Sequence, residues 1–369
     1  MKSFESYSAA VIQPIAKRAW SRKDVKDQLN RMLELIDVAS LCAFPKIDKP
    51  PEAYDYAPVK LMAFPEFFLQ GWTYHADLKK YQDDILITIP GEETDLIGER
   101  TKAMGSYVCG SALEYEKDWP DRFLSCAFIV GPEGKVIHKY HKFNCWLYGD
   151  CETAPHDMFD MYMEKYGKGK SILETFFPVA DTKCGKIGTY VCYDATFPET
   201  TRALALNGAE ILVYMTGWPT PVRQYFEVMN RMRAIENCAY VVAVNDGGYT
   251  DPSRPGFSGP KELPVQWWHG DSMIVDYRGV IQTEAPHHGE SIVTAPIYLR
   301  ELRKRRMDYS WNNLLVLRSE VWREMYKDPI YPKNQFLRHP IQSTKDLHRR
   351  APVKVIEDFV RKGILTKPE

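Results

Sequence analysis

Three residues able to carry acyl-transfer chemistry occupy the same kind of position in this chain. Glu66, Lys142 and Cys192 each end an apolar, strand-like run: "VKLMAFPE" (59–66), "KVIHKYHK" (135–142) and "KIGTYVC" (186–192). Strand ends are where sheet proteins place reacting groups, because the sheet fixes the side chains while the loops admit substrate. A cysteine supplies a nucleophile, which needs activation because a free thiol is mostly protonated at neutral pH. A glutamate can take that proton and return it to a leaving amine, or activate water. A lysine can stabilise an oxyanion and lower the thiol pKa. Each residue also has a structural alternative. A thiol after a strand can be core, a Pro-Glu pair can be a turn, and a lysine after a hairpin can be a solvated charge. Spacing alone does not choose between the two sets.

The elements that must position these residues alternate between strand and helix patterns for most of the chain, which predicts an α/β or α+β sandwich. Strands are expected at 6–15 and 58–64, and helices at 25–43 and 91–105, the second closed by Gly105. A hairpin turning at Gly131–Gly134 leads to Lys142. Residues 144–174 read as a long irregular, functional loop. A strand to Cys192 follows, then a helix over 198–208 with Pro near its start and Gly at its end. Strands from 209 and 239 flank a helix near 222–238, and two further strand patterns end near residue 297. Beyond about residue 300 the strand pattern stops, and the tail reads as an extension packed on the body or on a second subunit.

The 369 residues are 44% hydrophobic and 26% charged with formal net charge -1, a globular balance that gives no push toward nucleic acid or a membrane surface. No run reaches the roughly 20 apolar residues of a membrane span, and "MKSFESYSAAVIQP" lacks a secretory h-region. Eight scattered cysteines without zinc-ligand or small-scaffold spacing point to reduced thiols and a cytoplasmic address. No metal is expected, since no histidine pair sits beside a carboxylate cluster at ligand spacing. The absence of a Gly-rich phosphate loop argues against a fused ATP-dependent activity. No cofactor is therefore expected.

"FPEFFLQGW" (64–72), "GKVIHKYHKFN" (134–144) and "VCYDATFPETTRALALNGAEIL" (191–212) resemble, in order, the three catalytic blocks of the nitrilase (carbon–nitrogen hydrolase) superfamily. "AAVIQ" (9–13), "IPGEET" (89–94) and "HGESIVTAPI" (288–297) fit its flanks. The resemblance spans roughly residues 6 to 300. It implies an α+β four-layer α-β-β-α sandwich over residues 1–305, with 306–369 as a C-terminal extension, although about 150 residues per domain would suggest two units. It also implies Glu66 as base, Lys142 as oxyanion stabiliser, Cys192 as nucleophile, and a homo-oligomer. A second acid is placed on Glu164, because "MYMEKYGKGKSILETFFP" (161–178) resembles the matching region of N-carbamoyl amino acid amidohydrolases. Asp150 or Glu152 are the alternatives, as in aliphatic amidases.

Cys192-Tyr193-Asp194 departs from the Cys-Trp-Glu typical of true nitrilases and favours amide or N-carbamoyl hydrolysis over nitriles. Ala195 and Thr196 stand where carbamoylases for D-amino acids carry arginines, so a substrate carboxylate there would need another basic group, such as Arg202 or Arg223. Trp72, Trp146, Tyr193 and Trp218 are candidates to line an acyl pocket, and His269 is expected to make a structural hydrogen bond. Nitrile hydrolysis, acyl transfer from the same thioester, and a non-catalytic scaffold role are the alternative functions. The expected partner is a small amide substrate.

Overall fold

The computed structural model describes residues 3–45, 56–71, 78–147, 149–250, 268–342 and 344–368. Two six-stranded mixed sheets form its centre. The first contains β1 (Ser6–Gln13), β2 (Val59–Glu66), β3 (Tyr107–Tyr115), β4 (Phe123–Val130), β5 (Val136–His141) and β12 (Ser291–Tyr298), in the order β12-β1-β2-β3-β4-β5. The second contains β6 (Val179–Thr182), β7 (Gly185–Val191), β8 (Ile211–Thr216), β9 (Tyr240–Asn245), β10 (Met273–Val275) and β11 (Ile281–Glu284), in the order β11-β10-β9-β8-β7-β6.

Period-two burial explains the layering. Along β1, Ala9 and Val11 enter a core shared with Tyr190, Val213 and Val241 of the second sheet, whereas Ala10 and Ile12 face Val25, Leu29, Met32 and Ile36 of α1 (Arg22–Ala39). A strand covered on both faces is apolar at nearly every position. Helix α2 (Glu92–Met104) contributes Ile97 to the same outer layer and ends at Gly105 with φ 58°, a left-handed turn that glycine adopts without strain. Helices α4 (Pro198–Leu206) and α5 (Arg223–Asn237) send Ala203, Leu204, Phe226 and Ala234 into the core on the second sheet's side. The result is the α-β-β-α sandwich.

The stretch 144–174 is more ordered than its composition suggests. It holds a short 3₁₀ turn, α3 (Phe159–Tyr166) and the start of a second short helix (Ile172–Phe176). Tyr162 of α3 is buried and meets His141 at 2.9 Å, so tertiary packing fixes a helix in a segment of mixed periodicity. Beyond the last strand the chain continues through α6 (Leu299–Met307) to α7 (Val353–Arg361).

Strand register gathers the catalytic candidates. Glu66 lies opposite Ser111, Ser111 opposite Ala127, and Ala127 opposite Tyr140, two residues before Lys142. In the second sheet β7, β8 and β9 run parallel, so their carboxyl ends finish side by side, with Thr216 opposite Asn245. Asp194 then ties the sheets together. Its Oδ2 accepts from the Val191 N–H at 3.0 Å and the Tyr140 hydroxyl at 2.7 Å. Its Oδ1 accepts from the Asn144 N–H at 2.8 Å and Asn144 Nδ2 at 3.0 Å. One buried carboxylate thus sets the turn after β7 against the segment after β5. An acceptor removed from buried donors costs about 1–3 kcal/mol for each group left unmade. Asp194→Ala should therefore destabilise the protein by at least about 3 kcal/mol in urea unfolding, and a loss below about 1 kcal/mol would contradict this tie.

Candidate active site

Cys192 directly follows β7 and has φ 48°, a left-handed conformation unfavourable for a side chain with a Cβ. Its surroundings fix that turn. The carbonyl of Cys192 accepts from the Tyr214 hydroxyl at 2.9 Å, and the neighbouring Val191 N–H is held by Asp194. The thiol thereby lies beside the Glu66 carboxylate, near enough for each to shift the proton affinity of the other.

Lys142 lies just past β5 and is 1% exposed. Its Nζ donates to Asp150 Oδ2 at 2.7 Å, Glu66 Oε1 at 2.9 Å and Glu152 Oε1 at 3.1 Å, which uses all three ammonium hydrogens. Glu66 Oε2 also accepts from the Gly217 N–H at 3.3 Å, joining the first sheet to the end of β8. Asp150 Oδ2 in addition receives the Trp146 N–H at 2.6 Å.

The electrostatics follow from burying one cation among three anions. Burial alone would lower the Lys142 ammonium, but Asp150, Cys192, Glu66 and Glu152 outweigh it and hold the ammonium well above its ordinary value. Burial raises the Glu66 carboxyl, with the Lys142 charge opposing and the Asp150 charge adding. Burial and Asp150 push Glu152 up to about 7. Burial, followed by the Glu66 charge, lifts the Cys192 thiol well above its ordinary value. Burial thus favours the protonated form of the Cys192 thiol, which lies beside the Glu66 carboxylate.

A cavity of about 270 Å³ opens onto these groups. Glu66, Asp150 and Cys192 line its reactive end, with Trp146, Tyr193, Trp218 and Trp268 among its aromatic walls. The Trp218 indole donates to the Val222 carbonyl at 2.9 Å and the Trp218 backbone N–H to Asn245 Oδ1 at 2.7 Å, so this wall is braced. Asp246, buried just beyond β9, also faces the cavity, and its Oδ1 has no hydrogen-bond partner among the described residues.

The structure therefore brings together Glu66, Lys142, Cys192, Tyr193, Trp146 and Trp218, while Trp72 lies outside the described residues. Glu164 stands elsewhere. It is exposed on α3, two positions from the buried Tyr162 and so about 200° around the helix from the face that packs inward. The carboxylates beside Lys142 are Asp150 and Glu152 instead. Arg202 donates to the Glu236 carbonyl, and Arg223 is paired with Asp271; neither lines the cavity. His269 Nδ1 meets Asp271 Oδ2 at 2.9 Å, the structural bond expected of it.

Asp194 and Asp246 escaped the sequence reading. Asp194 had a usable signal, an acidic residue two positions past a candidate nucleophile, whereas Asp246 merely follows "AYVVAVN". Three clusters among the described residues have metal-like composition. Glu114, Cys126 and His141 form one, with the Lys139 ammonium on the Glu114 carboxylate. Cys145, Asp150 and Glu152 bring ligand atoms within 4.8 Å of one another, but the two carboxylates already share the Lys142 ammonium. His269, Asp271 and His287 do likewise, with the Arg223 guanidinium on the same carboxylate.

Comparison with known proteins bears on the fold and the family. The formamidase of Bacillus cereus (strain Q1) is 26% identical over 315 residues, covering 85% of this chain and 80% of its own length. Three solved structures share the fold. Saccharomyces cerevisiae Nit3, a member of branch 10 of the nitrilase superfamily, gives a TM-score of 0.59 at 21% identity over 83% of this chain and 96% of its own. An amidase from Nesterenkonia sp. gives 0.60 at 16% identity over 88% of this chain and 98% of its own. A carbon-nitrogen hydrolase from Helicobacter pylori G27 gives 0.60 at 19% identity over 88% of this chain and 99% of its own. The carbon-nitrogen hydrolase family profile matches residues 8–307, and the chain belongs to that family.

Proposed function

We propose that the protein hydrolyses a small linear amide through a thioester on Cys192. The observation that carries this reading is the meeting of thiol, carboxylate and lysine-bound acids at one end of a single aromatic cavity. Glu66 takes the thiol proton as Sγ attacks the substrate carbonyl carbon. The same proton passes to the amide nitrogen, the C–N bond breaks, and ammonia or an amine departs, leaving a thioester. Water, losing a proton to Glu66, attacks the thioester carbon, and the thiol leaves with that proton as the acid is freed. Lys142 keeps Glu66 in place throughout. To donate to an oxyanion, its ammonium must release one carboxylate, and Glu152 is both the longest partner and the one whose proton affinity is raised to about 7. An oxyanion donor is worth about 3–4 kcal/mol of barrier.

A solved Nesterenkonia amidase is described with acrylamide joined by Michael addition to its active-site cysteine, which supports the same part for Cys192. The cavity supports an acyl group larger than formyl. The apolar Tyr225, Val228, Met232 and Ile235 exposed on α5, with Trp311 and Trp322 on the extension, support assembly into a homo-oligomer. The eight free cysteines support a reducing, cytoplasmic setting.

Ammonia release from a panel of amides, N-carbamoyl compounds and nitriles tests the reading. Cys192→Ala should abolish turnover, and Glu66→Gln and Lys142→Ala should each lower kcat/KM at least about a thousandfold; an active Cys192→Ala protein would end the thioester route. Because Glu66 must be ionised to accept the thiol proton and its carboxyl is raised, kcat/KM should fall with decreasing pH around a midpoint above the ordinary 4.5. A profile flat down to that value would overturn the assignment of base. Within the amide series, each methylene added up to the size of the cavity should raise kcat/KM by about fourfold, from about 0.8 kcal/mol per buried group. A preference for formamide over longer amides would place the protein with its formamidase relatives instead.

A further inference from the structure

The two carboxylates that complete the Lys142 cluster sit on a loop whose backbone is held by a residue nearly two hundred positions away. Arg350 belongs to the C-terminal extension, beyond the family match at 307, yet it is 2% exposed. Its Nη1 donates to the Asp150 carbonyl and its Nη2 to the Glu152 carbonyl. Those two residues are the ones whose side chains, at 2.7 and 3.1 Å, grip the Lys142 ammonium. The extension is anchored to make this contact. The Phe336 N–H meets the Asp157 carbonyl at 3.0 Å, the buried Arg122 guanidinium donates to the Phe336 and Leu337 carbonyls at 3.3 and 3.1 Å, and Phe336 and Ile341 pack with Phe67 and Cys151.

We infer that Arg350 is a positioning residue for hydrolysis, its planar guanidinium clamping the Asp150–Glu152 backbone so that both carboxylates stay on Lys142. Two features support this beyond packing. A guanidinium offers its donors in a rigid planar fork that fixes the spacing of two carbonyls, whereas an ammonium is a point charge on a flexible stem. It is also a second buried cation beside a cluster in which acids outnumber Lys142. The groups facing it are Asp150, Glu152 and Cys145 of the loop, and Asp157 at 3.9 Å, whose carboxyl burial pushes up to about 6. Glu66, Lys142 and Cys192 lie one shell further in.

The inference rests on the Cys192 reading, so full-length wild type, Cys192→Ala, Arg350→Ala and Arg350→Lys are compared on one amide. Arg350→Ala should lower kcat by roughly tenfold to a hundredfold, the scale on which a displacement of about an ångström acts, with KM within about threefold. Loss of the cation should move the acid limb of kcat/KM to higher pH. Arg350→Lys, which keeps the charge and loses the fork, should leave that limb in place while kcat still falls at least about threefold; it also carries the test should the alanine protein fail to fold. Ile341→Val serves as the control for loosened packing of the extension and should lower the melting temperature with kcat unchanged. Wild-type kcat and pH profile in a folded Arg350→Ala or Arg350→Lys protein would overturn the clamp while leaving the nucleophile intact. Turnover by Cys192→Ala would instead remove the reading on which the clamp depends.

Discussion

A buried ammonium surrounded by more acid than it can neutralise sets the terms for this molecule. An ion the size of Lys142 Nζ costs several kcal/mol to take out of water, and the cost is recovered only when partners and geometry are both good. Three carboxylates within 3.1 Å meet that need for the lysine. They also create the opposite problem, since three ionised acids around one cation leave an excess of negative charge in a poorly solvated place. The raised carboxyls of Glu66 and Glu152 are the physical expression of that excess. A base of raised proton affinity suits the proposed chemistry, because it can take a thiol proton and return it near neutral pH.

Such a cluster survives only if the backbone beneath it cannot relax. Glu66 and Lys142 issue from one sheet in fixed register, and Cys192 comes from the other through a residue held at positive φ. Asp194 couples the two by accepting from both sides of the gap. Burial across the sandwich, at about 1.5–3 kcal/mol for each large aliphatic side chain, gives the stiffness that makes these short polar contacts reproducible.

This division explains what the sequence made legible. Glu66, Lys142 and Cys192 are the last residues of, or first residues after, apolar runs, so local periodicity and motif order located them. Alternating strand and helix patterns pointed to an α/β or α+β sandwich, and its four-layer form followed from the family resemblance. The choice among Glu164, Asp150 and Glu152 stayed open, because which carboxylate reaches Lys142 depends on the path of residues 144–154 through space. Glu164 lies in a segment with family resemblance, yet α3 turns it outward to bury Tyr162. Arg350 was beyond reach for a stronger reason: its partners are 198 and 200 residues away and are backbone carbonyls, which leave no mark on residue type.

The geometry of Lys142 also constrains how the proposed cycle can run. An ammonium with all three hydrogens committed cannot give a fourth bond to an oxyanion, so one carboxylate must yield as the tetrahedral centre forms. Glu66 cannot be that group while it carries the thiol proton, because the proton is destined for the leaving nitrogen and the carboxyl must stay aimed at it. Asp150 is held from two sides, by Nζ at 2.7 Å and by the Trp146 N–H at 2.6 Å. Glu152 is bound at the longest distance, its Oε2 has no hydrogen-bond partner among the described residues, and burial raises its carboxyl to about 7. Lengthening of this contact would free one ammonium hydrogen for the substrate oxygen as negative charge develops there. In the proposed cycle the surplus acid of the cluster would serve as a reserve partner for the lysine, engaged at rest and released as the oxyanion forms.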